Sequence, residues 1–509
     1  MLTFILNLIG IVNTTSADDL GLEASVSGMN TDCRTPNLDK LASRSVNFRQ
    51  ARTTVSSCSP SRAALLSGLP SHQNGMYGLH HDIHHYNSFD DVQSISNVLK
   101  HTIPTLNSGL IGKKHVGPPE VFKFDFEVTE DHHSILQIGR NITLIAQLVQ
   151  EFLAESTKVS PSTNATEPFF LYVGLHDAHR CGHSHSEYGP FCETFGINGT
   201  IPDWTPTMYD SQNLTVPEWM PDTAATRGDL AAQYQTISRL DQGVGLILNI
   251  LESFGVLNET LVIFSSDNGS PFPNGRTNVY EPGLRVPLLL SNPNEQMRWG
   301  SMDDTNRVTL LDIFPTLMDW FQIKPFSYKI NNKMTKFTGS SLMPLIRNFN
   351  TLKEQSTNVQ RYTYASHVTH EATMNYPMRS VTDHFFNLKL IQNLNFWAPF
   401  PIDQDFYLSP TFQNLLFRTR DGVRLNWLKS LKGYYYRPEF ECFDLNNDTN
   451  EIYNTFSVQT IECEILIGIL FDWQLLTNDP WLCAPHGVLQ NTGIYTHNPV
   501  CMTLGHQWI

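Results

Sequence analysis

Residues 56–68 of this chain read SSCSPSRAALLSG, with Cys58, Pro60 and Arg62 at alternate positions. Three fixed positions recur by chance in roughly a few per cent of chains of this length, so the motif needs support from elsewhere. One interpretation is a buried or disulfide-bonded cysteine beside a proline turn. The other is a position built for nucleophilic chemistry. Residues before and after the motif decide between the two.

Acidic and amide side chains lie on both sides of this motif. Asp18-Asp19 lies upstream, and Asp267-Asn268-Gly269 follows the apolar run 261–264. The run predicts a strand, and open α/β sheets place their ligands at the carboxyl ends of strands. These oxygen donors suit Ca²⁺ or Mg²⁺ rather than zinc. Taken alone, Asp-Asn-Gly is also typical of an ordinary turn.

Basic residues follow two other apolar runs in the same way. Lys113 and His115 come after residues 109–112, and their spacing of two predicts that they face the same side of a strand. Residues 169–175 predict a buried strand that carries the sequence HDAHR, with His179 in it, to the same edge.

An arginine completes the basic set. Arg276 lies nine residues beyond Asp267 in a loop rich in proline and glycine. Together with Arg62, Lys113 and a divalent cation, it is suited to hold an oxyanion and to stabilise its transition state. Any one of these residues alone is also typical of solvated surface.

The order of the elements predicts an α/β fold. Strand-like runs at 109–112, 169–175, 261–264 and 286–290 alternate with helical patterns, of which the clearest is Leu230 to Leu251. This alternation predicts a mostly parallel sheet covered by helices on both faces. A chain of 509 residues favours two domains. We predict a catalytic domain over 1–376 and a smaller C-terminal α+β domain with an antiparallel sheet over 377–509.

Taken together, these motifs resemble the sulfatase family from about Ala17 to the C-terminus. The resemblance is strongest in the stretches SSCSPSRAALLSGLPSHQNGMYGLHHDIHHYNSF (56–89), NYPMRSV (375–381) and FPIDQDFYLSPTFQNLL (400–416). It implies an alkaline-phosphatase-like fold, with Cys58 oxidised to formylglycine by a formylglycine-generating enzyme. The hydrate of that aldehyde supplies one oxygen to attack sulfur and a second hydroxyl to expel sulfate.

The resemblance also implies residue roles. The calcium ligands, for one Ca²⁺ per subunit, would be Asp18, Asp19, Asp267, Asn268 and formylglycine-58. The residues that contact the sulfate and handle protons would be Arg62, Lys113, His115, His179 and Arg276. Because an arginine does not release its proton, protonation of the leaving group is expected from His179, whose ordinary pKa near 6.5 suits an acidic compartment.

Within the family, the resemblance is closest to enzymes that hydrolyse the sulfamate of terminal glucosamine residues in heparan sulfate. It implies a heparan sulfate-derived oligosaccharide as substrate, a lysosomal location and a homodimer. The residues expected to close the substrate pocket are His367, His370, Glu371 and Arg379. A salt-bridge cluster at a domain junction is an equally favoured interpretation of these four residues.

Cysteines and sequons indicate the secretory route. The resemblance implies that Cys181–Cys192 and Cys483–Cys501 are disulfides. A disulfide between Cys442 and Cys463 is possible, but the resemblance does not support it. The sequons expected to be glycosylated are at Asn141, Asn164, Asn198, Asn213, Asn258 and Asn447. Asn268-Gly269-Ser270 also matches, but a glycan there would destroy the metal site.

Charge and the N-terminal segment set further limits. The net charge is −15, and protonation of all 19 histidines would bring it to −15 + 19 = +4. No Lys/Arg run indicates a nucleic-acid partner, and the apolar segment 1–12 is too short to span a membrane. Residues 13–16 are polar where the family has an apolar strand. We therefore expect either a displaced strand over 5–12 or, preferably, an incorrect start or exon.

Two other functions are compatible with the sequence. One is an O-sulfatase or a phosphate-ester hydrolase of the same fold, although a phosphatase would normally need a Ser/Thr nucleophile and a histidine-rich two-metal cluster. The other is a glycan-binding relative without activity, which loss of the Asp18-Asp19 geometry would produce.

Overall fold

A computed structural model of the chain describes residues 11–28, 32–81, 83–158, 167–181, 189–193, 201–347, 360–458, 460–496 and 498–504. The strands in these residues are β1 Ile11–Ala17, β2 Val46–Phe48, β3 Ala51–Arg52, β4 Asn107–Gly112, β5 Phe126–Thr129, β6 Phe169–Gly174, β7 Thr260–Ser266, β8 Leu288–Ser291, β9 Ser301–Asp303, β10 Val308–Thr309, β11 Lys329–Ile330, β12 Lys333–Met334, β13 Tyr362–His367, β14 Met378–Asp383, β15 Leu388–Asn393, β16 Phe440–Asp444, β17 Gly487–Gln490 and β18 Val500–Thr503. The helices are α1 Pro36–Ala42, α2 Cys58–Ser67, α3 Ser71–Asn74, α4 Ile95–Thr102, α5 Ile142–Ser156, α6 Ala224–Ser253, α7 Glu281–Leu284, α8 Ile313–Trp320, α9 Met343–Arg347, α10 Gln404–Tyr407, α11 Pro410–Arg420, α12 Leu431–Tyr435 and α13 Thr460–Leu476.

The main sheet is mostly parallel, as predicted. Its strand order over the described residues is β5-β4-β6-β1-β7-β8-β2-β9. The first five strands in this order pair in parallel, β8 is antiparallel to both of its neighbours, and β2 is parallel to β9. The predicted strands at 109–112, 169–175, 261–264 and 286–290 are present with shifted ends, and the helix predicted over 230–251 lies within α6.

Alternate residues of the central strands enter two separate cores. On β6, Leu171 and Val173 pack in the core that contains side chains of α1, α5 and α6. Phe170 and Tyr172 point to the other face and pack with α2, α4 and α8. This two-residue alternation between two buried faces explains why the strands are continuously apolar in sequence.

The polar segment at residues 13–16 forms part of the central strand β1, so the expectation that a strand displaced to 5–12 takes its place is wrong. The alternative of an incorrect start or exon stays a prediction. β1 lies between β6 and β7, with Asn13 opposite Leu171 on one side and Val262 on the other. Its side chains are buried, and Thr15 Oγ1 donates to Asn13 Oδ1 at 3.0 Å. Pairing with β6 and β7 provides hydrogen bonds to the backbone of β1 on both sides. Because β-branched threonine also fits a strand, apolar side chains are not required throughout. The sequon at Asn13 is buried in this strand.

A second sheet follows in the C-terminal part. Strands β13 to β16 form an antiparallel sheet in sequential order, and α13 packs on it through a core that includes Leu466 and Trp473. The first strand begins at Tyr362, upstream of the proposed boundary at 376, which remains a prediction.

Covalent links and sequons are distributed over both parts. The structure contains the disulfides Cys181–Cys192 and Cys483–Cys501, and also Cys442–Cys463, which joins β16 to α13. The sequon asparagines Asn213, Asn258 and Asn447 are exposed, and Asn141 is half-buried at the start of α5. Asn164 and Asn198 lie outside the described residues. None of the described helices combines the length and the apolar character needed to cross a bilayer.

Candidate active site

Four adjacent parallel strands end at one edge of the main sheet and deliver most of the candidate residues. The strand β1 leads into Asp18 and Asp19, and β7 leads into Asp267 and Asn268. On the other side of β1, β6 leads into His179 and β4 into Lys113 and His115. Because neighbouring parallel strands end side by side, residues up to 250 positions apart in sequence meet here, as the strand-end prediction required.

The motif cysteine is the first residue of α2. Cys58 is buried, and its Sγ lies 3.5 Å from Asp18 Oδ1. Burial first, and then the negative charge of Asp18, raises the pKa of the Cys58 thiol well above its usual value. The unmodified thiol therefore stays protonated and is a poor nucleophile in this position.

The helix α2 is anchored to the loop after β7. Ser61 Oγ donates to the carbonyl of Asp267 at 2.5 Å, and the backbone N–H of Thr277 donates to the carbonyl of Ser56 at 2.9 Å. Arg62 Nε donates to Asp267 Oδ2 at 2.9 Å. The motif and the Asp-Asn-Gly loop thus form one rigid unit.

Three carboxylates form the acidic part of the site. One ligand oxygen from each of Asp18, Asp19 and Asp267 lies within 4.8 Å of the others, and all three residues are buried. Burial, together with the neighbouring carboxylates, raises the pKa of Asp19 well above its ordinary value and that of Asp267 to about 6. For Asp18, burial raises the pKa, but Lys113 and Arg62 outweigh it and hold the net value below the ordinary one.

This donor set fits a hard divalent cation. Asn268 Nδ2 donates to Asp19 Oδ1 at 2.7 Å, whereas its Oδ1 is buried and accepts no hydrogen bond from the described residues. A buried carbonyl oxygen without a partner beside three clustered carboxylates is what a Ca²⁺ or Mg²⁺ ion would satisfy. The residues predicted as metal ligands are therefore together and of suitable chemistry.

Two cations lie directly against the carboxylates. Lys113 Nζ forms an ion pair with Asp18. Arg62 Nη2 lies 2.9 Å from Asp267 Oδ2 and 3.6 Å from Asp18 Oδ2. These side chains are at most 4% exposed, so the charges are paired in a site that largely excludes water.

Arg276 is held by Asp19 and by two further carboxylates, Asp403 and Asp405, that the sequence did not single out. Its Nη1 donates to Asp19 Oδ2 at 2.5 Å, while Nε and Nη2 donate to Asp403 Oδ2 at 2.9 and 2.6 Å. Asp405 Oδ2 lies 3.2 Å from Nη2. Asp403 and Asp405 belong to the stretch PIDQDFY, which carried the family resemblance, but no motif there indicated a role.

The two predicted histidines occupy different surroundings. His179 Nδ1 donates to the carbonyl of Arg180 at 2.7 Å, and its Nε2 accepts from Arg276 Nη1 at 2.7 Å. His115 contacts His81 through Nε2, and its Nδ1 is buried and has no hydrogen-bond partner in the part of the chain that the structure describes. Burial is the main reason that the pKa of each lies well below 6.5, assisted by Arg276 for His179 and by His81 for His115.

This finding corrects the expectation of an ordinary pKa for His179. In the substrate-free site the imidazole is neutral at mildly acidic pH, and an anionic substrate would have to raise its pKa before it could donate a proton. The same effect of burial on other histidines changes the estimate of +4 for the net charge with all 19 histidines protonated. Burial lowers the pKa of six histidines, so protonation of the histidines in mild acid contributes less than the full +19; they are His72, His115, His179, His367, His370 and His384.

The four residues predicted to close the substrate pocket divide into two groups. His370 Nδ1 lies 2.8 Å from Ser57 Oγ, next to Cys58. Glu371 is half-buried, and burial followed by the charges of Asp403 and Asp405 raises its pKa to about 7.

The other two residues lie deeper. His367 is buried in β13, and its carbonyl accepts from Arg379 Nη1 at 3.0 Å. Arg379 also binds Asp479 through Nε at 2.6 Å and Nη2 at 2.9 Å. Arg379 thus belongs to a buried ion pair, which matches the salt-bridge interpretation, and the pocket interpretation fits the position of His370 and Glu371 better.

A buried ionic frame supports the site from the β6 side. Asp177 accepts from Arg140 and from Arg239, the latter at 2.6 Å from Nε, and Arg180 binds both carboxylate oxygens of Asp229 at 2.9 Å. Asp177 and Arg180 flank His179 in sequence, whereas Asp229 and Arg239 lie on α6 and Arg140 lies just before α5. The loop that carries the histidine is therefore fixed by buried charges on α6.

A separate cavity of about 680 Å³ lies between β13 and α13 and is lined by Tyr364 and Trp473 among others. None of the candidate catalytic or metal residues lines it. Cavity size thus does not identify the reactive centre of this molecule. The buried carboxylates and cations around Cys58 identify it instead.

Known proteins are similar to this chain in sequence and in fold. The sequence profile of the family described as Sulfatase matches residues 11–323. The chain is 51% identical over 481 residues to the N-sulphoglucosamine sulphohydrolase of Homo sapiens, which covers 93% of this chain and 91% of that protein.

Solved structures show the same architecture at low sequence identity. A protein solved in complex with its substrate D-glucosamine-2-N,6-O-disulfate superposes with a TM-score of 0.59 at 16% identity, covering 92% of this chain and 98% of that one. A phosphonate monoester hydrolase of Agrobacterium radiobacter superposes with a TM-score of 0.58 at 14% identity, covering 92% and 95%. These two likenesses concern the fold alone.

Proposed function

Because this chain belongs to the sulfatase family, we propose that it hydrolyses the N-linked sulfate of terminal glucosamine residues in heparan sulfate. The observation that carries the proposal is 51% identity, over 93% of the chain, to a human N-sulphoglucosamine sulphohydrolase. The site geometry agrees, since it concentrates cations and oxygen donors around Cys58 at one sheet edge.

Two groups that the family implies fit the residues present. Formylglycine at position 58 would supply an oxygen nucleophile and a second hydroxyl for release of sulfate. A Ca²⁺ ion held by Asp18, Asp19, Asp267 and Asn268 would supply positive charge next to that position. The oxygen-only donor set and the unpartnered Asn268 Oδ1 support this assignment.

The remaining residues bind and orient the substrate. Lys113 and Arg276 present cations to the sulfonate oxygens, and Arg62 fixes Asp267 relative to Cys58. Preorganised charges of this kind stabilise negative charge as it develops in a site from which water is excluded.

Two histidines handle protons. His179, whose Nε2 lies beside Arg276, is assigned as the donor to the leaving nitrogen once the anionic substrate is bound. Arginine keeps its proton, so Arg276 cannot replace it. His115 is assigned to orient residue 58 and to assist release of sulfate.

Maturation and location follow from the same proposal. Formylglycine-generating enzyme would act on Cys58 in the secretory pathway, and the enzyme would work in the lysosome as a homodimer. Three disulfides and three exposed sequon asparagines support passage through an oxidising compartment.

The test uses protein secreted from a eukaryotic host. The tryptic peptide Thr53 to Arg62 should be about 18 Da lighter than its unmodified mass, because formylglycine exchanges sulfur for oxygen and loses two hydrogens. The enzyme should release sulfate from an oligosaccharide ending in N-sulfated glucosamine, and Cys58→Ala should abolish turnover without loss of the fold. Release of 6-O-sulfate alone would instead identify an O-sulfatase. An intact cysteine with no turnover would favour a non-catalytic relative.

A further inference from the structure

We propose that Asp405 recognises the nitrogen of the sulfamate and then the amine of the product, and so selects S–N over S–O bonds. This inference rests on the proposed function and assigns one further substrate-contacting residue to the same site. It follows from the position of Asp405 relative to Arg276 and His179, from its exposure, and from the chemistry of the two kinds of sulfate.

Arg276 separates two acidic groups. On its Nη1 side lies Asp19, one of the proposed metal ligands, at 2.5 Å. On its Nη2 side lie Asp403 at 2.6 Å and Asp405 at 3.2 Å. Asp405 Oδ2 is also 3.7 Å from His179 Nε2. A leaving atom that His179 can protonate is therefore within reach of Asp405.

The two aspartates on the Nη2 side of Arg276, Asp403 and Asp405, differ in their hydrogen bonds. Asp403 is fully engaged, because its Oδ2 binds Arg276 and its Oδ1 accepts from the backbone of Asp405 at 2.9 Å and of Phe406 at 3.3 Å. Asp405 contacts Arg276 through Oδ2 only, and its Oδ1 has no hydrogen-bond partner among the described residues.

Exposure points to the same residue. The side chains of Asp405 and His179 are each 13% exposed, whereas those of Asp403, Arg276 and Lys113 are 3%, 1% and 4% exposed. Asp405 and His179 are thus the most accessible side chains of this group. Asp403 positions Arg276, and Asp405 is available for a ligand.

The chemistry of the bond explains why a carboxylate is useful here. A sulfamate nitrogen carries a hydrogen and donates to a carboxylate, whereas the bridging oxygen of a sulfate ester has only lone pairs and is repelled. In the overall reaction, R–NH–SO₃⁻ and water give R–NH₃⁺ and SO₄²⁻. The S–N bond breaks, the water oxygen goes to sulfur, and both water protons end on nitrogen. The product cation then pairs with the carboxylate.

The experiment compares full-length secreted enzymes with verified formylglycine content: wild type, Asp405→Asn, Asp405→Glu and Asp403→Asn. We expect Asp405→Asn to lower kcat/KM for glucosamine N-sulfate by about 10- to 100-fold, the loss of one charge-assisted hydrogen bond. Asp405→Glu keeps the charge and should retain most of the activity. Wild type without any activity on glucosamine N-sulfate would refute the proposed function itself, independently of Asp405.

Inhibition by the two products distinguishes recognition from support of Arg276. Asp405→Asn should weaken inhibition by glucosamine at least tenfold and leave inhibition by inorganic sulfate within threefold of wild type. Asp403→Asn should weaken inhibition by sulfate. Glucose, which has a hydroxyl in place of the ammonium, should inhibit wild type and Asp405→Asn equally. If a variant is too slow to assay, ligand-induced shifts in Tm give the same comparison. The proposal would be overturned if Asp405→Asn weakened inhibition by glucosamine and inhibition by sulfate equally. It would also be overturned if Asp405→Asn left kcat/KM for glucosamine N-sulfate unchanged.

Discussion

Ser57 Oγ lies 2.8 Å from Nδ1 of His370, a residue 313 positions later in the chain. The contact is buried and joins the residue before Cys58 to the segment that follows β13. The start of α2, which carries the reactive position, is thus held from the C-terminal side as well as from the sheet edge.

We expect this contact to contribute to turnover. His370→Ala and Ser57→Ala should each lower kcat about tenfold, because α2 would lose one of the contacts that orient residue 58. The double variant should be no slower than the slower single variant, as a shared interaction requires. Formylglycine content is measured in parallel, and additive losses would show that the two residues act separately.

Removal of the proton donor should depend on the leaving group. His179→Ala should slow hydrolysis of glucosamine N-sulfate far more than hydrolysis of an activated aryl sulfate, since only the amine needs protonation. The measurement is kcat for both substrates on the same preparation. Equal losses would mean that His179 binds the sulfonate instead.

Metal removal should lower both stability and activity. Without a cation, Asp18, Asp19 and Asp267 are three buried carboxylates within 4.8 Å of one another. We expect a chelator to lower the Tm and to abolish turnover, and Ca²⁺ to restore both at lower concentration than Mg²⁺. An unchanged Tm after exhaustive chelation would contradict a metal site.

The buried frame should be costly to break. Asp177→Ala leaves Arg140 and Arg239 without their carboxylate, and we expect it to lower the free energy of unfolding by about 3–5 kcal/mol. The matched control is Asp222→Ala, which breaks the more exposed pair with Arg227 and should cost less than about 1 kcal/mol. Urea unfolding of both variants against wild type measures the difference.

The buried His72 should make stability depend on pH. Burial lowers its pKa to about 4 in the folded chain, below the value near 6.5 in the unfolded chain. Between these values the unfolded chain binds a proton that the folded chain does not, so the free energy of unfolding falls as pH falls. From pH 7 to 5 this residue should account for about 2 kcal/mol.

Substitution isolates that contribution. In His72→Gln, which keeps polar atoms near Ser366 and Thr477, the loss of stability between pH 7 and 5 should be about 2 kcal/mol smaller than in wild type. Urea unfolding at the two pH values measures it. An identical pH dependence in both proteins would show that His72 does not remain neutral.

The sheet and the strand-end residues could be predicted because their signals are local. Apolar runs such as 169–175 identify buried strands, and polar residues directly after them identify the functional edge. The first strand could not be predicted this way, because Asn13 to Ser16 are polar. Their place in the sheet depends on pairing with β6 and β7, which is a non-local property.

The carboxylates that bind Arg276 could not be predicted from the sequence for a related reason. Asp403 and Asp405 lie in a short segment without periodicity, and only the fold brings them to a residue about 130 positions earlier. The sequence alone likewise left the partner of Arg379 unidentified, because Asp479 comes from beyond α13.

The contact of Asp403 and Asp405 with Arg276 has a consequence for incomplete chains. A product of premature termination before residue 403 would retain Cys58, Arg62, Lys113 and every proposed metal ligand, yet Arg276 would keep only its contacts with Asp19 and His179. Such a fragment would carry the whole signature motif and lack the charges that position one of its main anion-binding groups. Nonsense changes before residue 403, even those well beyond the motif, should therefore inactivate this protein as completely as changes at the motif itself.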